Sequence, residues 1–438
     1  MGMRTRVLSW LCVVGVIAGS ARSTAAEPLA GGLSWAHQLS GPGDDETGRI
    51  ASGKDGSFIS FINFTGSIDV GAGPIQAPGG PTDRALALVR HDAQGQPSVI
   101  RVISGLYALR HAVDGQGNII IIVEAIGVSP GSSLFSDGLQ LVKLNAAGRL
   151  LWLRPILSTD IFVQTLVTDR DGNIGIGGYS VTSQGSPRLT FLKHNSEGTR
   201  LWRFVDTDTT QSLGRTATAD SEGNFFVGGD ALGATSSSEP YLVMLSPEGQ
   251  PRWRRRLLGA LGFAFGLATH GNRVVMVGTY AFTFTFAGQT HTSTGNLGIN
   301  QDAFVVAWTR DGEERWAYNF GFDIESVAMD ERDGVTVVGG YQAGSSDLGI
   351  LGPLPGNPSS AANVYVAKFD RIQGQRRWVQ SFPSGLDRSS PGLDEGTVAV
   401  SKDGRAAVLG LFHDTLQVGS RTWTASGVSD LFLFGFQP

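Results

Sequence analysis

The sequence predicts an all-β fold, a seven-bladed β-propeller of four-stranded antiparallel blades. Three observations predict it. A Gly followed four residues later by Trp recurs at Gly148/Trp152, Gly198/Trp202, Gly249/Trp253, Gly312/Trp316 and Gly374/Trp378. An alternating β-type run precedes each such Gly, as in LQLVKLN, LTFLKHN, YLVMLSP and AFVVAWT. A turn followed by a strand closing in Gly-Gly recurs as DGNIGIGG from Asp171, EGNFFVGG from Glu222 and DGVTVVGG from Asp333, with weaker copies KDGSFISF, GQGNIIII, HGNRVVMVG and KDGRAAVLG. Seven copies of each half-pattern, at spacings from about 50 to 63 residues, suit four short strands per unit.

The chain opens on a targeting segment. Arg4 and Arg6 precede the apolar run Val7–Ala18, and small residues follow up to Ala26. That order reads as a signal peptide over 1–26, which marks export to the periplasm, cell surface or medium. The apolar run is short for a membrane span, which needs about 20 residues, and no later segment is long and apolar enough to be one. The single Cys, Cys12, falls inside the leader, so the exported chain has no disulfide and no thiol nucleophile. Residues 27–438 are expected to form one propeller domain, a monomer stabilised by packing alone.

Each blade reads as strands A to D. Strand A precedes the Asp-Gly turn and is rich in small residues, as in RIAS, RTATA, LVT and TVAVS. Small side chains suit a strand crowded around a central channel. Strand B closes in Gly-Gly, C is the alternating run and D carries the Trp. Blade 1 takes A to C from about 48–91 and D near 97–103; in it the Trp position falls on Val99. Blades 2 to 6 then end near 158, 208, 258, 321 and 382. Blade 7 stops at strand C, Asp430–Gln437, without a D strand. GLSWAHQL at Gly32–Leu39 is a D strand without a C partner. The two loose ends predict that the N-terminal strand completes blade 7 and closes the ring, which removes an open edge.

The Gly-x-x-x-Trp hairpin resembles the tryptophan docking motif of quinoprotein-type propellers. The Gly-Gly end of strand B, followed by Tyr179 and Tyr341, is similar to kelch repeats. The overall pattern, with its DAFVVAW run, resembles most the bacterial secreted β-propeller repeats (SBBP-type). That resemblance spans nearly the whole mature chain and implies architecture, not activity. It does not extend to a quinone cofactor: those enzymes generally have eight blades and many use adjacent cysteines, whereas the exported chain has neither. No cofactor is expected.

Few residues point to chemistry. The formal charge of −5 argues against a general nucleic-acid binder. Asp169-x-Asp171-Gly172-Asn173 resembles the start of a calcium loop, but its twelfth position is Ser180 rather than a bidentate Glu, and turn chemistry explains the pattern. The seven His are scattered, with no HExxH, and there is no G-x-S-x-G elbow. No catalytic residue is assigned. The Trp series, one per blade, is read as inter-blade packing with each N–H finding a carbonyl; Trp308, in strand C, is read as core. Arg252, Arg254, Arg255 and Arg256 on an outer strand are read as a guard against edge-to-edge pairing.

Two features concern binding. The D-to-A connections carry Asp44, Asp45 and Glu46; Asp206 and Asp208; Asp323 and Glu325; Asp394 and Glu395. Ring closure sets the first group beside the last, where they could hold Ca²⁺ or act as an acid/base pair. The B-to-C connections of blades 2, 3 and 4 read as short, and those of blades 1, 5, 6 and 7 as about 18–20 residues, with an extra hairpin in each. These four blades are contiguous once the ring closes, so one side of the disc should carry a raised rim with His291, Arg421 and Trp423. The expectation is an exported, non-catalytic binding or scaffold propeller that recognises a protein or polysaccharide through loops on one face. The alternative is an extracellular polymer hydrolase or lyase using carboxylates at the mouth.

Overall fold

The structure, a computed structural model, describes residues 32–42, 45–125, 138–157, 159–233, 237–293, 302–321, 323–332, 334–341, 349–354, 363–370, 372–385, 397–427 and 429–438. The signal peptide expected over 1–26 lies outside them. Seven antiparallel four-stranded sheets form the ring. Strands A to D are Asp45–Ser52, Phe58–Thr65, Arg84–His91 and Pro97–Ser104 in blade 1. In blade 2 they are Leu106–Val113, Ile119–Ala125, Leu139–Leu144 and Leu150–Pro155. In blade 3 they are Phe162–Thr168, Ile174–Val181, Pro187–His194 and Arg200–Val205, and in blade 4 Ser212–Ala219, Phe225–Leu232, Ser238–Leu245 and Pro251–Arg256. Blade 5 has Ala260–His270, Arg273–Phe286, Asp302–Trp308 and Glu314–Gly321; blade 6 has Ser326–Met329, Gly334–Tyr341, Asn363–Asp370 and Arg376–Phe382.

Blade 7 supplies Thr397–Val400, Ala406–Phe412 and Asp430–Phe436, and its fourth strand is the N-terminal Leu33–Leu39. The register runs from Leu33 opposite Phe436 to Leu39 opposite Leu431. The predicted closure is therefore present. Strand C of every blade is almost wholly buried, because it is covered on both faces by neighbouring blades; DAFVVAW and DLFLFGF are buried throughout.

Two glycine positions set the blade geometry. Strand A carries a bulge in blades 3, 4 and 5, where its register against strand B shifts. The bulge presses a main-chain carbonyl against strand B at Gly178, Gly229 and Gly278, where a methyl group would overlap the oxygens of Phe162, Leu213 and Phe263. This is the physical reason for the closing Gly in strand B. The second position is the Gly of the Gly-x-x-x-Trp turn. Gly249 has φ +84°, and a Cβ on it would lie 2.7 Å from the ring of Trp202 in the preceding blade. Trp35 meets Gly95, Trp152 meets Gly198 and Trp316 meets Gly374 in the same way. Each of these indoles lies on the turn glycine of the next blade.

The predicted N–H partners are found for three indoles. Trp152 donates to the Ser196 carbonyl at 3.1 Å, Trp202 to Pro247 at 2.9 Å and Trp253 to Arg310 at 3.0 Å. A buried Lys shares two of these acceptors: Lys143 donates to Ser196 and Lys193 to Pro247. Each Lys is also paired with a buried turn carboxylate, Asp114 at 3.0 Å and Asp169 at 3.4 Å. Lys368 repeats the device with Asp330 at 2.7 Å and the Gly404 carbonyl at 3.0 Å. Asp169 also accepts from the main-chain N–H groups of Asp171 and Asn173. The sequence that resembled a calcium loop is an Asx turn with its carboxylate occupied.

One length expectation is corrected. The B-to-C connection of blade 2 is not short, since strand B ends at Ala125 and strand C begins only at Leu139. The sequence there has no apolar-Gly hairpin signature, which is why its length was missed. In blade 5 the extra segment is not separate from strand B: Arg273–Phe286 runs on past the blade and pairs with Gln289–Thr292.

Candidate functional site

In a ring of A-to-D blades, the D-to-A connections and the B-to-C loops share one face, and the tight A–B and C–D turns share the other. The loop face carries hairpins Ser67–Asp69/Pro74–Gln76 on blade 1, the extended strands of blade 5 and Thr415–Val418/Arg421–Thr424 on blade 7. Each terminal connection is tied to a hairpin. Ser40 bridges Asp69, and Ser384 bridges Leu416. Blades 3 and 4 have only short loops there, and that sector exposes apolar side chains. Leu157, Phe162, Val181 and Leu258 are half or more exposed or nearly so, with Leu258 at 69%. Phe162 stacks on Tyr179 with ring centroids 5.0 Å apart. Phe282, beside them on blade 5, is exposed although its φ is +72°. A non-glycine residue held in the left-handed region is strained by about 1–3 kcal/mol.

The candidate rim residues differ in setting. Arg421 is exposed at the start of its hairpin strand. Trp423 is half-buried and packs on Phe434 and Phe412 of blade 7, with centroids 5.8 and 6.5 Å apart. His291 is buried; it stacks on Phe284 at 4.9 Å, and its Nδ1 lies 3.1 Å from Asn319 Oδ1. Thus Arg421 presents its head to solvent, while Trp423 and His291 brace the hairpins. Asp45 and Glu46 open strand A of blade 1 rather than preceding it. Asp44, Asp394 and Glu395 lie outside the described residues.

Two other connections hold their carboxylates in different ways. Asp206 is fully buried and accepts from the Tyr241 hydroxyl at 2.9 Å and from Arg254 at 3.2 Å. Arg254 also pairs with Asp208 at 2.9 Å. Burial and the Asp206 charge raise the Tyr241 pKa, keeping that phenol protonated. Arg256 pairs with Glu239, and Arg255 donates to the Gly312 carbonyl, so three of the four outer-strand arginines of blade 4 are engaged within the fold. By contrast, burial pushes the Asp323 pKa up to about 6. The Tyr365 hydroxyl donates to the Asp323 main-chain carbonyl at 3.1 Å.

The seven innermost strands enclose a cavity of about 380 Å³ on the ring axis. Its wall includes Arg49, Arg110 and Arg215, with His111, Gln164 and Glu325. Arg215 Nε donates to Asp230 Oδ1 at 2.5 Å, and its guanidinium lies 4.9 Å from the Phe263 ring centre. Burial raises the Asp230 pKa despite this pairing. Arg110 donates to the main-chain carbonyls of Gln164 and Leu109. His111 is held neutral: burial, with the Arg49 charge, lowers its pKa to about 4. The sequence reading missed these arginines. Two of them stand in the strand A strings RIAS and RTATA, but a small-residue average conceals a single large cation.

Comparison with solved structures returns propellers. The chain is similar to the Pan2 WD40 domain of Neurospora crassa, at 11% identity over 93% of this chain and 97% of that one, with a TM-score of 0.49. It is similar to BamB from Moraxella catarrhalis, at 12% identity over 90% and 100%, with a TM-score of 0.41. It is also similar to the quinohemoprotein alcohol dehydrogenase ADHIIG of Pseudomonas putida HK5, at 10% identity over 93% and 76%, with a TM-score of 0.43. These likenesses concern the fold alone. No family model and no curated protein matches the sequence. Among the described residues no helix is long and apolar enough to cross a membrane.

Proposed function

We propose that this chain is an exported binding or scaffold protein of the secreted-propeller repeat type, which recognises a protein or polysaccharide on its loop face. One observation supports this most. The face is asymmetric, with hairpins standing on blades 5, 7 and 1 beside a low sector on blades 3 and 4 that exposes Leu157, Phe162, Val181 and Leu258. A rigid ring that displays variable loops and an apolar floor is suited to recognition. The rim residue in a position to contact a partner is Arg421; Trp423 and His291 would fix the hairpins that present it. The test is capture from the producing cell's envelope fraction by the mature protein. A partner retained by the intact protein, lost with Phe162→Asp and weakened by deletion of 415–427 is the expected result. Undiminished capture by both variants would refute the reading.

A second reading, a polymer hydrolase or lyase, draws support from Asp323, whose raised pKa suits a general acid, near Glu325 in the cavity wall. It requires turnover of an extracellular polymer that falls at least a hundredfold in Asp323→Asn, consistent with general acid–base contributions of about 10²–10⁴.

A further inference from the structure

The repeat supplies its own control at the mouth of the channel. Strand A enters each blade from the loop face, and in blades 2 to 5 its register against strand B shifts at a bulge. The last residue but one before the bulge is Tyr107, Phe162, Leu213 and Phe263 in turn, opposite Glu124, Tyr179, Asp230 and Thr279. The counterpart in blade 6 is Asp323, whose carbonyl presses on Gly339 as those of Phe162, Leu213 and Phe263 press on Gly178, Gly229 and Gly278. The fold accepts a carboxylate at this place, so packing does not require an aromatic or apolar side chain there. The innermost strands of successive blades pack on one another, which sets the four residues in an arc along one side of the mouth. Phe162 is 48% exposed with one face on Tyr179, and Tyr107, Leu213 and Phe263 are half-buried. Beneath the arc, Phe265 lines the axial cavity beside Gln164 and Arg215, 6.4 Å from Phe263 between ring centroids.

That combination suits a sugar. A pyranose ring has a face of C–H groups that lies flat on an aromatic ring, and hydroxyls around its edge that exchange hydrogen bonds with amide, guanidinium and carboxylate groups. The charges of the arc are already matched. Arg215 is paired with Asp230 and stacked on Phe263, Arg110 donates to main-chain carbonyls, and Glu124 is exposed opposite Tyr107. Among the described residues the arc therefore offers donors and acceptors without a surplus of either sign, which favours an uncharged ligand over an acidic one.

We infer that this arc of the channel mouth is a binding site for a neutral glycan, with sugar rings stacked on Phe162 and Phe263 and their hydroxyls hydrogen-bonded to Gln164 and Arg215. The inference rests on the loop-face recognition proposed above and narrows its partner to a polysaccharide.

The test is calorimetric titration of the purified protein with cellohexaose, laminarihexaose, maltohexaose and N-acetylated chitohexaose, and with polygalacturonate as the charged comparator. At least one neutral hexasaccharide is expected to bind saturably, with an affinity that does not change as salt rises. Phe162→Ala and Phe263→Ala should each weaken that binding at least tenfold. Phe162→Leu keeps an apolar side chain but removes the flat ring, and should weaken it at least threefold at an unchanged melting temperature. Phe162→Tyr, which restores a ring, should bind as the parent does. Absence of binding by all four neutral probes would overturn the inference, as would binding of polygalacturonate alone. Neutral binding that neither Phe162→Leu nor Phe263→Ala alters would overturn it too. In each of these cases, envelope capture that is still lost with Phe162→Asp would leave loop-face recognition standing with a partner other than a glycan at this arc.

Discussion

At the scale of residues, the molecule repeats one joint and leaves it out at Trp378. In blades 2, 3 and 4 the strand D indole donates to a carbonyl in the C–D turn of the next blade. Trp378 of blade 6 faces blade 7, whose third and fourth strands are the two ends of the chain, so no turn is there to accept. Its Nε1 is buried without a hydrogen-bond partner, and its ring stacks on Phe436 at 5.6 Å. Trp202→Phe should therefore destabilise the protein by about 1 kcal/mol more than Trp378→Phe, because only the first loses a hydrogen bond, while the Pro247 carbonyl keeps its bond from Lys193. Urea denaturation of the two variants checks this; equal losses would contradict it. The Trp spacing and its packing role were legible in the sequence, because repetition amplifies any residue that every blade requires. Arg49 and Arg110, which hold the same strand A register in blades 1 and 2, were not, because two blades of seven make no period.

At the scale of elements, the decisive strand is Leu33–Leu39. It forms a full ladder with Asp430–Phe436, and Trp35 seals it against Gly95 of blade 1. Without it, the almost fully buried strand DLFLFGF becomes an open apolar edge. Deletion of residues 32–39 should leave a protein that self-associates, seen by light scattering, and a synthetic peptide of those residues should restore the monomer. A deletion variant that stays monomeric, with an unchanged melting temperature, would show that the ladder is dispensable. Closure was readable from the sequence because a D pattern without C and a C pattern without D complete each other. The hairpin bases were less readable. Alternation identified the strands near His291 and Trp423 but not which side chains turn inward, since a local twist past the blade sets that orientation.

At the scale of the whole molecule, folding buries histidines in neutral form. Burial lowers His91, His111 and His194 to about 4, from an ordinary value near 6.5. A group whose pKa is depressed in the fold binds fewer protons there than in the unfolded chain. Its contribution to stability is complete above about pH 6.5 and is lost as pH falls toward 4. His91 and His37 both face the Gly95 main chain where the N-terminal strand meets blade 1, so this joint should loosen first. The melting temperature should fall steadily between pH 6.5 and 4, with amide exchange in Leu33–Leu39 accelerating before that in Phe225–Leu232. A flat profile over this interval would refute the assignment. The ring's sevenfold plan was visible in the sequence through its periodicity. A central channel followed from that plan, but the side chains that line it did not, because they meet only where seven strands distant in sequence converge.

Because Leu33 lies opposite Phe436 and the Gln437 N–H donates to the Gly32 carbonyl, both termini depart from the side of the disc away from the hairpins. A tether at either end, whether natural or a tag coupled to a sensor chip, would hold the wheel by its underside and leave its upper surface turned outward to meet whatever diffuses past.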